Sequence, residues 1–347
     1  MSEKEPGVTV SELCAGFLEN ARPTLGKKEY ENSLIIVRDF LLKLYGDDTV
    51  TDDFKPSCLK LVREQMVQSR RFCRNTVNRY IKHVVAIFGW GVEMELVPET
   101  IWRTLKVVKS LKIGYPGTFD HPERGEVPFD VVRKTLPFMP PMIRTMVMLQ
   151  WLTGMRPSEV YDMRVGEIYQ IPDGLWHYRL RHHKTGEHIG KKIIPLGKPE
   201  QELIAPYLEG KTPEEAVFSP RTAMAERNAD KRECRKSKIT PSQAARDAAR
   251  AAKPKQYEEF YDANSYRRAI EHAIKKGNKA GVEIPHWFPY QLRHSAATVA
   301  EKTEGLDKAQ ALLGHTSANT TKRYAHAQLA ITEELALNRK NPFESEE

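Results

Sequence analysis

The sequence lacks the features that mark membrane-spanning, secreted and metal-binding proteins. It contains no apolar run near the roughly 20 residues that a bilayer-spanning helix needs. Its first six residues are polar and acidic, without the apolar segment of a signal peptide. The four cysteines form no C-x-x-C pair, which argues against a zinc or a redox motif. We therefore expect a cytoplasmic protein in a reducing compartment.

The length of 347 residues suggests two or three domains. Charged side chains are abundant but unevenly distributed along the sequence. The net charge is +8, yet residues 1–59 carry 7 basic and 11 acidic side chains, a net charge of −4. Residues 60–112 and residues 221–255 each carry 11 basic and 4 acidic side chains, a net charge of +7 in each block. Two separate basic blocks favour a polyanionic partner such as nucleic acid, although a solubilising surface has the same composition.

The first hundred residues are predicted to form a compact helical domain, residues 8–108. Thr9 and Glu12 form a capping box, and apolar side chains recur at helical spacing after it. No alternating strand pattern interrupts the apolar stripes, which lie within residues 10–17, 30–44, 59–66, 77–88 and 101–108. Gly91 is expected to end the fourth helix.

Basic side chains of this domain are candidates for contact with a phosphate backbone. They lie before and along the fourth helix and at the entry to the following segment, namely Arg70, Arg71, Arg74, Arg79, Lys82, Lys106, Lys109 and Lys112. On the helix, Arg79 and Lys82 lie away from the apolar stripe, as a DNA-binding face requires. The alternative is an ordinary solvated helix face, and the sequence leaves both open.

A mixed domain, residues 129–347, follows a linker at residues 109–128 that is rich in glycine and proline. We predict strands at residues 175–180 and 188–195, with Lys184-Thr185-Gly186 as the turn between them. Helices are predicted at residues 142–152, 263–279, 290–302, 306–313 and 319–337. Residues 221–255, rich in Ala, Arg and Lys, are predicted to form an exposed insertion that is either helical in part or disordered, and residues 328–347 a C-terminal tail.

Five short motifs follow one another in the second domain. They are Thr-Gly-Met-Arg-Pro-Ser-Glu at residues 153–159, Lys-Thr-Gly at 184–186, Tyr-Gln-Leu-Arg-His at 290–294, Leu-Gly-His at 313–315, and Tyr324 nine residues later. Each motif alone is weakly specific, but their order and separations resemble those of the tyrosine recombinase (phage integrase) family. The resemblance covers most of residues 129–330, and the helical first domain also resembles the family's core-binding domain.

The resemblance implies a mainly α fold with a small β-sheet. A helical core-binding (SAM-like) domain would precede a mixed, mostly helical catalytic domain, and the two would clamp double-stranded DNA. The resemblance also implies site-specific recombination, such as integration and excision of a mobile element, by a tetramer on two DNA sites. Accessory DNA-bending or directionality proteins are further candidate partners. The target sequence depends on base contacts that no motif encodes.

The family cuts DNA by transesterification, and the residue types present suit that chemistry. Tyr324 would attack a backbone phosphate and form a covalent 3′-phosphotyrosine, without a metal or nucleotide cofactor. Guanidinium groups are planar, permanently charged and bidentate, so Arg156 and Arg293 would stabilise charge on the phosphate oxygens. By the same resemblance, Lys184 would protonate the leaving 5′-oxygen and His315 would donate a hydrogen bond to the phosphate.

Several of these residues, taken singly, also fit ordinary structural roles. Arg156 alone fits a helix-terminal ion pair, and Tyr324 alone fits a half-buried aromatic side chain. We expect Glu159 to support Arg156, and His294 to lie behind the reacting groups. The three histidines at positions 182, 183 and 188 close no ligand set, so no metal site is expected.

Tyr290 departs from the family pattern. The family has a histidine there, which assists proton transfer or contacts the phosphate. A tyrosine still donates one hydrogen bond, but its hydroxyl has an ordinary pKa of about 10 whereas that of histidine is about 6.5. We expect Tyr290 to keep a phosphate contact and to contribute less to proton transfer, which would affect the rate more than the type of reaction.

Two other functions remain open from the sequence. A type IB topoisomerase uses closely related tyrosine chemistry but relaxes supercoils without joining two sites; the separate helical domain and the motif spacing favour a recombinase. A DNA-binding regulator with a decayed site would explain Tyr290, but the presence of both arginines, Lys184, His315 and Tyr324 argues against decay. The tail after Tyr324 is expected to dock either on its own domain or on a neighbouring protomer.

Overall fold

The computed structural model describes residues 7–46, 51–122, 125–181, 192–235, 237–252, 257–313 and 332–338. The chain divides between residues 123 and 124 into two units, each with its own apolar core. This division falls inside the predicted linker, residues 109–128. The fold is mainly helical with one small sheet, which confirms the predicted fold class. None of the described helices is long and apolar enough to cross a lipid bilayer.

The first unit is built from helices whose bounds follow the apolar stripes. They are α1 Val10–Ala21, α2 Lys27–Ile36, α3 Leu42–Tyr45, α4 Pro56–Gln68, α5 Arg74–Glu93 and α6 Glu99–Leu105. A π-helical turn, Val37–Leu41, joins α2 to α3. The predicted capping box is present, since the Thr9 hydroxyl accepts from the Glu12 amide at 3.2 Å and the Glu12 carboxylate accepts from the Thr9 amide at 2.8 Å.

Gly91 does not end α5, contrary to the prediction, because the helix continues to Glu93. The glycine is buried inside the first unit. A β-carbon at this position would lie 2.6 Å from Leu13 Cδ1 and 2.7 Å from Val97 Cγ2. The absence of a side chain therefore serves close packing between α5, α1 and the chain after α5.

The first part of the predicted linker is tied to the first unit. Leu111 is buried there, and the side chain of Asn78 on α5 accepts from its backbone amide at 2.7 Å and donates to its carbonyl at 3.0 Å. Arg74 adds an ion pair with Asp120 at 2.8 Å. Up to residue 122 the glycines and prolines thus shape a docked loop.

The second unit mixes helices with one sheet. Its helices are α7 Phe129–Thr135, α8 Pro141–Thr153, α9 Pro157–Tyr161, α10 Lys198–Ile204, α11 Pro220–Glu233, α12 Pro241–Ala252, α13 Ala263–Lys279, α14 Pro289–Glu304 and α15 Leu306–Leu313. Helices α8, α13, α14 and α15 confirm the four helices predicted within residues 142–313. The predicted helix at residues 319–337 lies largely outside the described residues. Its described part, residues 332–337, is helical.

The sheet is antiparallel, in the order β1 Ile168–Gln170, β2 Trp176–Arg179 and β3 Ile193–Leu196. Strand β2 lies in the centre and pairs with β3, with Trp176 opposite Leu196. Both predicted strands are represented, although the described part of the second strand begins only at Ile193. The sequence pattern does not predict β1, because three residues are too few for an alternating pattern. The turn at residues 184–186 lies outside the described residues.

Helix α8 is buried along most of its length in the core of the second unit. The fully buried side chains of Tyr266 on α13 and Trp287 before α14 pack in the same core. Ser295 on α14 fixes the entry of the chain into this unit, because its hydroxyl accepts from the Val127 amide at 2.9 Å and donates to the Val127 carbonyl at 2.7 Å. The core thus holds α8 and α14, and with them the two segments that carry the arginine motifs.

The insertion and the tail differ in how they pack. Within the insertion at residues 221–255, the described side chains of α12 are exposed as predicted, whereas α11 is partly buried, with Ala223 packed against the core of the second unit. Within the tail, Glu333 lies 2.8 Å from His177 on β2, and Ala336 is fully buried. A β-carbon at Gly197 would collide with the Ala336 carbonyl. The described part of the tail, residues 332–338, therefore packs on its own unit in this structure.

Candidate active site

Arg156 lies at the junction between α8 and α9. Helix α8 ends at Thr153, and Gly154 follows in the left-handed conformation, with a φ of 64°, which turns the chain. Arg156 immediately precedes α9, and Pro157 occupies the first helical position. The Glu159 carboxylate accepts from the Arg156 backbone amide at 2.8 Å and so stabilises the helix start. The Arg156 side chain is one quarter exposed at this end of α9.

Arg293 reaches the same place from α14. It is 2% exposed, and its guanidinium donates from Nη1 to the Gly154 carbonyl at 2.7 Å and from Nη2 to the Leu313 carbonyl. One side chain therefore joins the ends of α8 and α15 to the second turn of α14. Burial, followed by the charge of Arg156, lowers the pKa of Arg293, while Glu159 opposes this shift. The guanidinium remains charged at neutral pH because arginine titrates far above it.

Gln150 sets the spacing between the two arginine segments. It is fully buried in α8, and its side-chain amide donates to the carbonyl of Met155 at 3.1 Å and to the carbonyl of Pro289 at 3.0 Å. Its own carbonyl accepts from the Tyr266 hydroxyl at 3.1 Å. Met155 precedes Arg156, and Pro289 begins α14, so one amide links both segments. Sequence reasoning missed this residue; a glutamine inside the apolar stretch at residues 142–152 was the available signal.

The buried carboxylate of Glu159 contacts two cationic side chains. Its side chain is 4% exposed, and Oε1 accepts from Arg156 Nη1 at 2.9 Å. Lys192 Nζ lies 2.8 Å from Oε1 and 2.9 Å from Oε2. Tyr178 on β2 donates to the Glu159 backbone carbonyl at 2.9 Å. Sequence reasoning also missed Lys192, whose only signal was a lysine directly before an apolar strand.

Opposing effects set the pKa values in this group of charges. Burial alone would raise the pKa of Glu159, but the charge and hydrogen bonds of Lys192, together with Arg156, lower it below its ordinary value. Burial lowers the pKa of Lys192 to about 8; Glu159 opposes this shift, and the charges of Arg293 and Arg156 add to it. Glu159 is therefore ionised at neutral pH, and Lys192 titrates just above neutral pH.

Tyr290 lies in the first turn of α14 and is 41% exposed. Its ring packs edge-to-face against that of His294, with 5.2 Å between the ring centroids. The phenol also interacts with the guanidinium of Arg293, and this interaction raises the pKa of the arginine. Tyr290 thus stands beside the buried guanidinium with one side open to solvent.

The structure brings five of the predicted site residues into this region: Arg156, Glu159, Tyr290, Arg293 and His294. Three others lie outside the described residues, namely Lys184, His315 and Tyr324, and their roles stay predictions. The histidines at positions 182, 183 and 188 also lie outside them. Within the described ranges, no three His, Cys, Asp or Glu side chains are grouped so that they could hold a metal ion.

The basic candidates of the first unit differ in exposure. Most are exposed, namely Arg70, Arg71, Arg79, Lys82, Lys106, Lys109 and Lys112. Arg71 nevertheless pairs with Asp39 at 2.8 Å. Arg74 is 12% exposed and is held by Asp120 and by the Leu111 carbonyl, so it anchors the docked loop. Their role in DNA binding stays a prediction.

The described centre carries an excess of positive charge, because Arg156, Lys192 and Arg293 surround one carboxylate. Among the described residues, Arg156 gives Nη1 to Glu159, while Nε and Nη2 make no hydrogen bond. Guanidinium donors of this kind suit the non-bridging oxygens of a phosphate. The arrangement can therefore bind an anion and stabilise charge that develops on it.

The sequence is similar to that of a known protein family. The model of the phage integrase family matches residues 130–330, more than half of the sequence. The chain belongs to this family. Two relatives, the tyrosine recombinases XerC of Bifidobacterium longum subsp. infantis and of Bifidobacterium longum, are each 29% identical over 183 residues. These matches cover 52% of this chain and 42% of each relative, less than half of the relative's length.

Two solved structures of other proteins share the fold of this chain. A lambda integrase dimer bound to a COC′ core site has a TM-score of 0.58 and 14% identity, covering 89% of this chain and 96% of that one. The XerH site-specific recombinase bound to a palindromic difH substrate has a TM-score of 0.56 and 16% identity, covering 93% and 83%. At these identities the likeness establishes the fold, and the chemistry depends on the residues described above.

Replacing Glu159 by Gln should destabilise the second unit by about 3–5 kcal/mol, because it leaves Arg156 and Lys192 without their anionic partner in a largely buried place. Urea unfolding followed by circular dichroism measures this loss. The control is Glu202→Gln, where the carboxylate is 57% exposed and 3.9 Å from Lys198, and where a change within about 0.5 kcal/mol is expected. Equal effects of the two substitutions would contradict the central role of Glu159.

Proposed function

We propose that the protein is a site-specific recombinase that cleaves and rejoins duplex DNA through a covalent 3′-phosphotyrosine on Tyr324. The observation that carries the proposal is the convergence of Arg156 and Arg293, from two separate motifs, on one positively charged centre. Membership of the phage integrase family supports it. The exposed basic side chains of the first unit supply a surface suited to the DNA backbone.

In the proposed reaction, one phosphodiester is exchanged for another. The Tyr324 oxygen forms a bond to phosphorus as the bond from phosphorus to the 5′-oxygen breaks, and the tyrosine proton is lost to the surroundings. Lys184 gives a proton to the leaving 5′-oxygen. A 5′-hydroxyl from a second DNA end then returns a proton to Lys184 and attacks the phosphotyrosine; the bond from phosphorus to the Tyr324 oxygen breaks, and that oxygen takes up a proton from the surroundings. No metal ion or nucleotide takes part in these steps.

The two arginines stabilise the negative charge that grows on the phosphate oxygens during attack. Removal of one such donor typically costs about 2.7–4 kcal/mol of transition-state stabilisation. Arg293 is held by two backbone carbonyls and Arg156 by Glu159, so both guanidinium groups are anchored before a phosphate binds. In the proposal, His315 adds a further hydrogen-bond donor to the same phosphate.

We further propose that the biological reaction is integration and excision of a mobile element, in the cytoplasm, by a tetramer on two DNA sites. Among the solved structures of this fold, a lambda integrase forms a tetramer on a Holliday junction, and an integrase of the Tn1549 transposon binds circular intermediate DNA. Those assemblies support the proposal by likeness of fold. Accessory DNA-bending or directionality proteins would then choose between the two directions.

Covalent trapping tests the function directly. Purified protein is incubated with host genomic DNA and quenched with detergent, and the DNA ends that stay attached are sequenced. We expect adducts at a few loci, because cleavage follows a recognised site, and we expect none with Tyr324→Phe, which lacks the attacking hydroxyl. Mass spectrometry of the adduct should locate the phosphodiester on Tyr324.

Other outcomes of the trapping experiment contradict the proposal. Adducts scattered throughout the DNA would indicate a type IB topoisomerase, which relaxes supercoils without joining sites. Tight binding without any adduct, including on a nicked duplex that prevents religation, would indicate a DNA-binding regulator. An adduct that persists in Tyr324→Phe would assign the nucleophile to another residue.

Replacing Tyr290 by Phe should slow adduct formation by about 10-fold and leave the adduct on Tyr324. The substitution removes one hydrogen bond to a charged group, worth about 1.5 kcal/mol at the low end, and keeps the ring against His294. Single-turnover cleavage of the trapped site measures the rate. Tyr169→Phe, a similarly exposed tyrosine on β1, is the matched control and should cleave at the wild-type rate. A Tyr290→Phe rate equal to that of wild type would refute the phosphate contact.

A further inference from the structure

Lys192 is a largely buried cation that the proposed reaction leaves without a role. Its side chain is 17% exposed and lies directly before β3, outside all five motifs. The ammonium group is shared between both oxygens of Glu159, at 2.8 and 2.9 Å. It lies close enough to Arg156 and Arg293 for their charges to lower its pKa. Lys192 is therefore part of the cationic centre.

The hydrogen bonds around Glu159 account for every acceptor position of the carboxylate. An ionised carboxylate offers about four lone-pair sites. The Arg156 backbone amide and Lys192 bind Oε2, while Arg156 Nη1 and Lys192 bind Oε1. With Lys192 in place, Arg156 has room for one side-chain contact with the carboxylate. Its Nε and Nη2 make no hydrogen bond within the described residues.

Loss of Lys192 would change the balance between these groups. Two acceptor positions on a largely buried carboxylate would lose their donor, which is costly unless another donor replaces it. Arg156 is the nearest cation that already contacts Glu159, and arginine pairs with carboxylates preferentially through two parallel hydrogen bonds. The guanidinium would then turn a second donor from the open side of the site toward Glu159.

We propose that Lys192 is a positioning residue that occupies one side of the Glu159 carboxylate and thereby keeps the Arg156 guanidinium available to the scissile phosphate. The structural part of this inference depends on the geometry alone. Its kinetic part rests on the proposed function, since it requires that Arg156 contacts a phosphate during cleavage.

The same geometry predicts how cleavage depends on pH. Among the described residues, the charged groups that face Lys192 are Glu159 and Arg156 at the start of α9 and Arg293 on α14, and Tyr178 on β2 reaches the Glu159 backbone. The pKa of Lys192 is lowered to about 8, whereas that of Glu159 lies below its ordinary value, so the carboxylate stays ionised over this range. Above pH 8 the neutral amine no longer offsets Glu159, so Arg156 is drawn to the carboxylate and the cleavage rate falls.

A crystal structure of Lys192→Met without DNA tests the positioning directly. Methionine fills a similar volume without a charge or a donor. We expect Arg156 Nε or Nη2 to form a second hydrogen bond to Glu159, so that the pair becomes bidentate. An Arg156 side chain that keeps its single contact in this variant would overturn the proposal, whatever the protein does to DNA.

Single-turnover cleavage of a nicked duplex that carries the trapped site tests the kinetic part. We expect Lys192→Met to slow adduct formation by about 10- to 100-fold, a loss typical of a misplaced catalytic group, while the Kd for the duplex stays within about twofold of wild type. Lys192→Arg should restore most of the rate, and it should move the decline of the rate from about pH 8 to higher pH, because a guanidinium stays protonated there.

Lys198→Met is the matched control, since Lys198 is 86% exposed at the start of α10, and its rate and pH profile should equal those of wild type. A Lys192→Met protein that loses DNA affinity, or one that cleaves at the wild-type rate, would overturn the positioning role. Failure of the wild-type protein to form any adduct would refute the proposed function instead, and the crystal structure would still decide the role of Lys192.

Discussion

The buried carboxylate of Glu159 is the charge on which the rest of the site depends. Two like charges about 4 Å apart near a protein surface repel each other by about 4 kcal/mol, so Arg156, Lys192 and Arg293 could not be gathered without a compensating anion. Glu159 offsets this repulsion through contacts of 2.8–2.9 Å with two of the three cations. It also stabilises the first turn of α9, which carries Arg156. One side chain thereby couples the local helix start to the electrostatics of the centre.

The surrounding fold holds this centre in place before any substrate binds. Gln150 joins the segment before Arg156 to the start of α14, and Arg293 joins α14 to the ends of α8 and α15. All of these contacts are made to backbone carbonyls of the second unit. A preorganised set of donors is what stabilisation of a growing negative charge requires, because no energy is then lost in rearranging them during the reaction. The arrangement is thus consistent with the phosphate chemistry that we propose.

Much of the fold could be predicted from the sequence, because helices with a buried face repeat their apolar residues every three or four positions. The capping box at Thr9 and helices α8, α13 and α14 follow from local patterns of this kind. The role of Gly91 could not be predicted in this way, because the sequence does not distinguish a glycine needed for tight packing from one that ends a helix. Within the site, the motifs named both arginines and Glu159, whereas Gln150 and Lys192 depend on tertiary contacts across 139 and 33 residues that no local pattern records.

In the proposed reaction a scissile phosphate is bound by Arg156, which Glu159 holds, and by Arg293, which the Gly154 and Leu313 carbonyls hold. The most direct test is a crystal structure of the Tyr324→Phe variant bound to the duplex recovered by covalent trapping. We expect one backbone phosphate with its non-bridging oxygens within hydrogen-bonding distance of Arg156 and Arg293, while Glu159 keeps its contacts with Arg156 and Lys192. A phosphate bound elsewhere, or a Glu159 side chain that has released both cations, would contradict it.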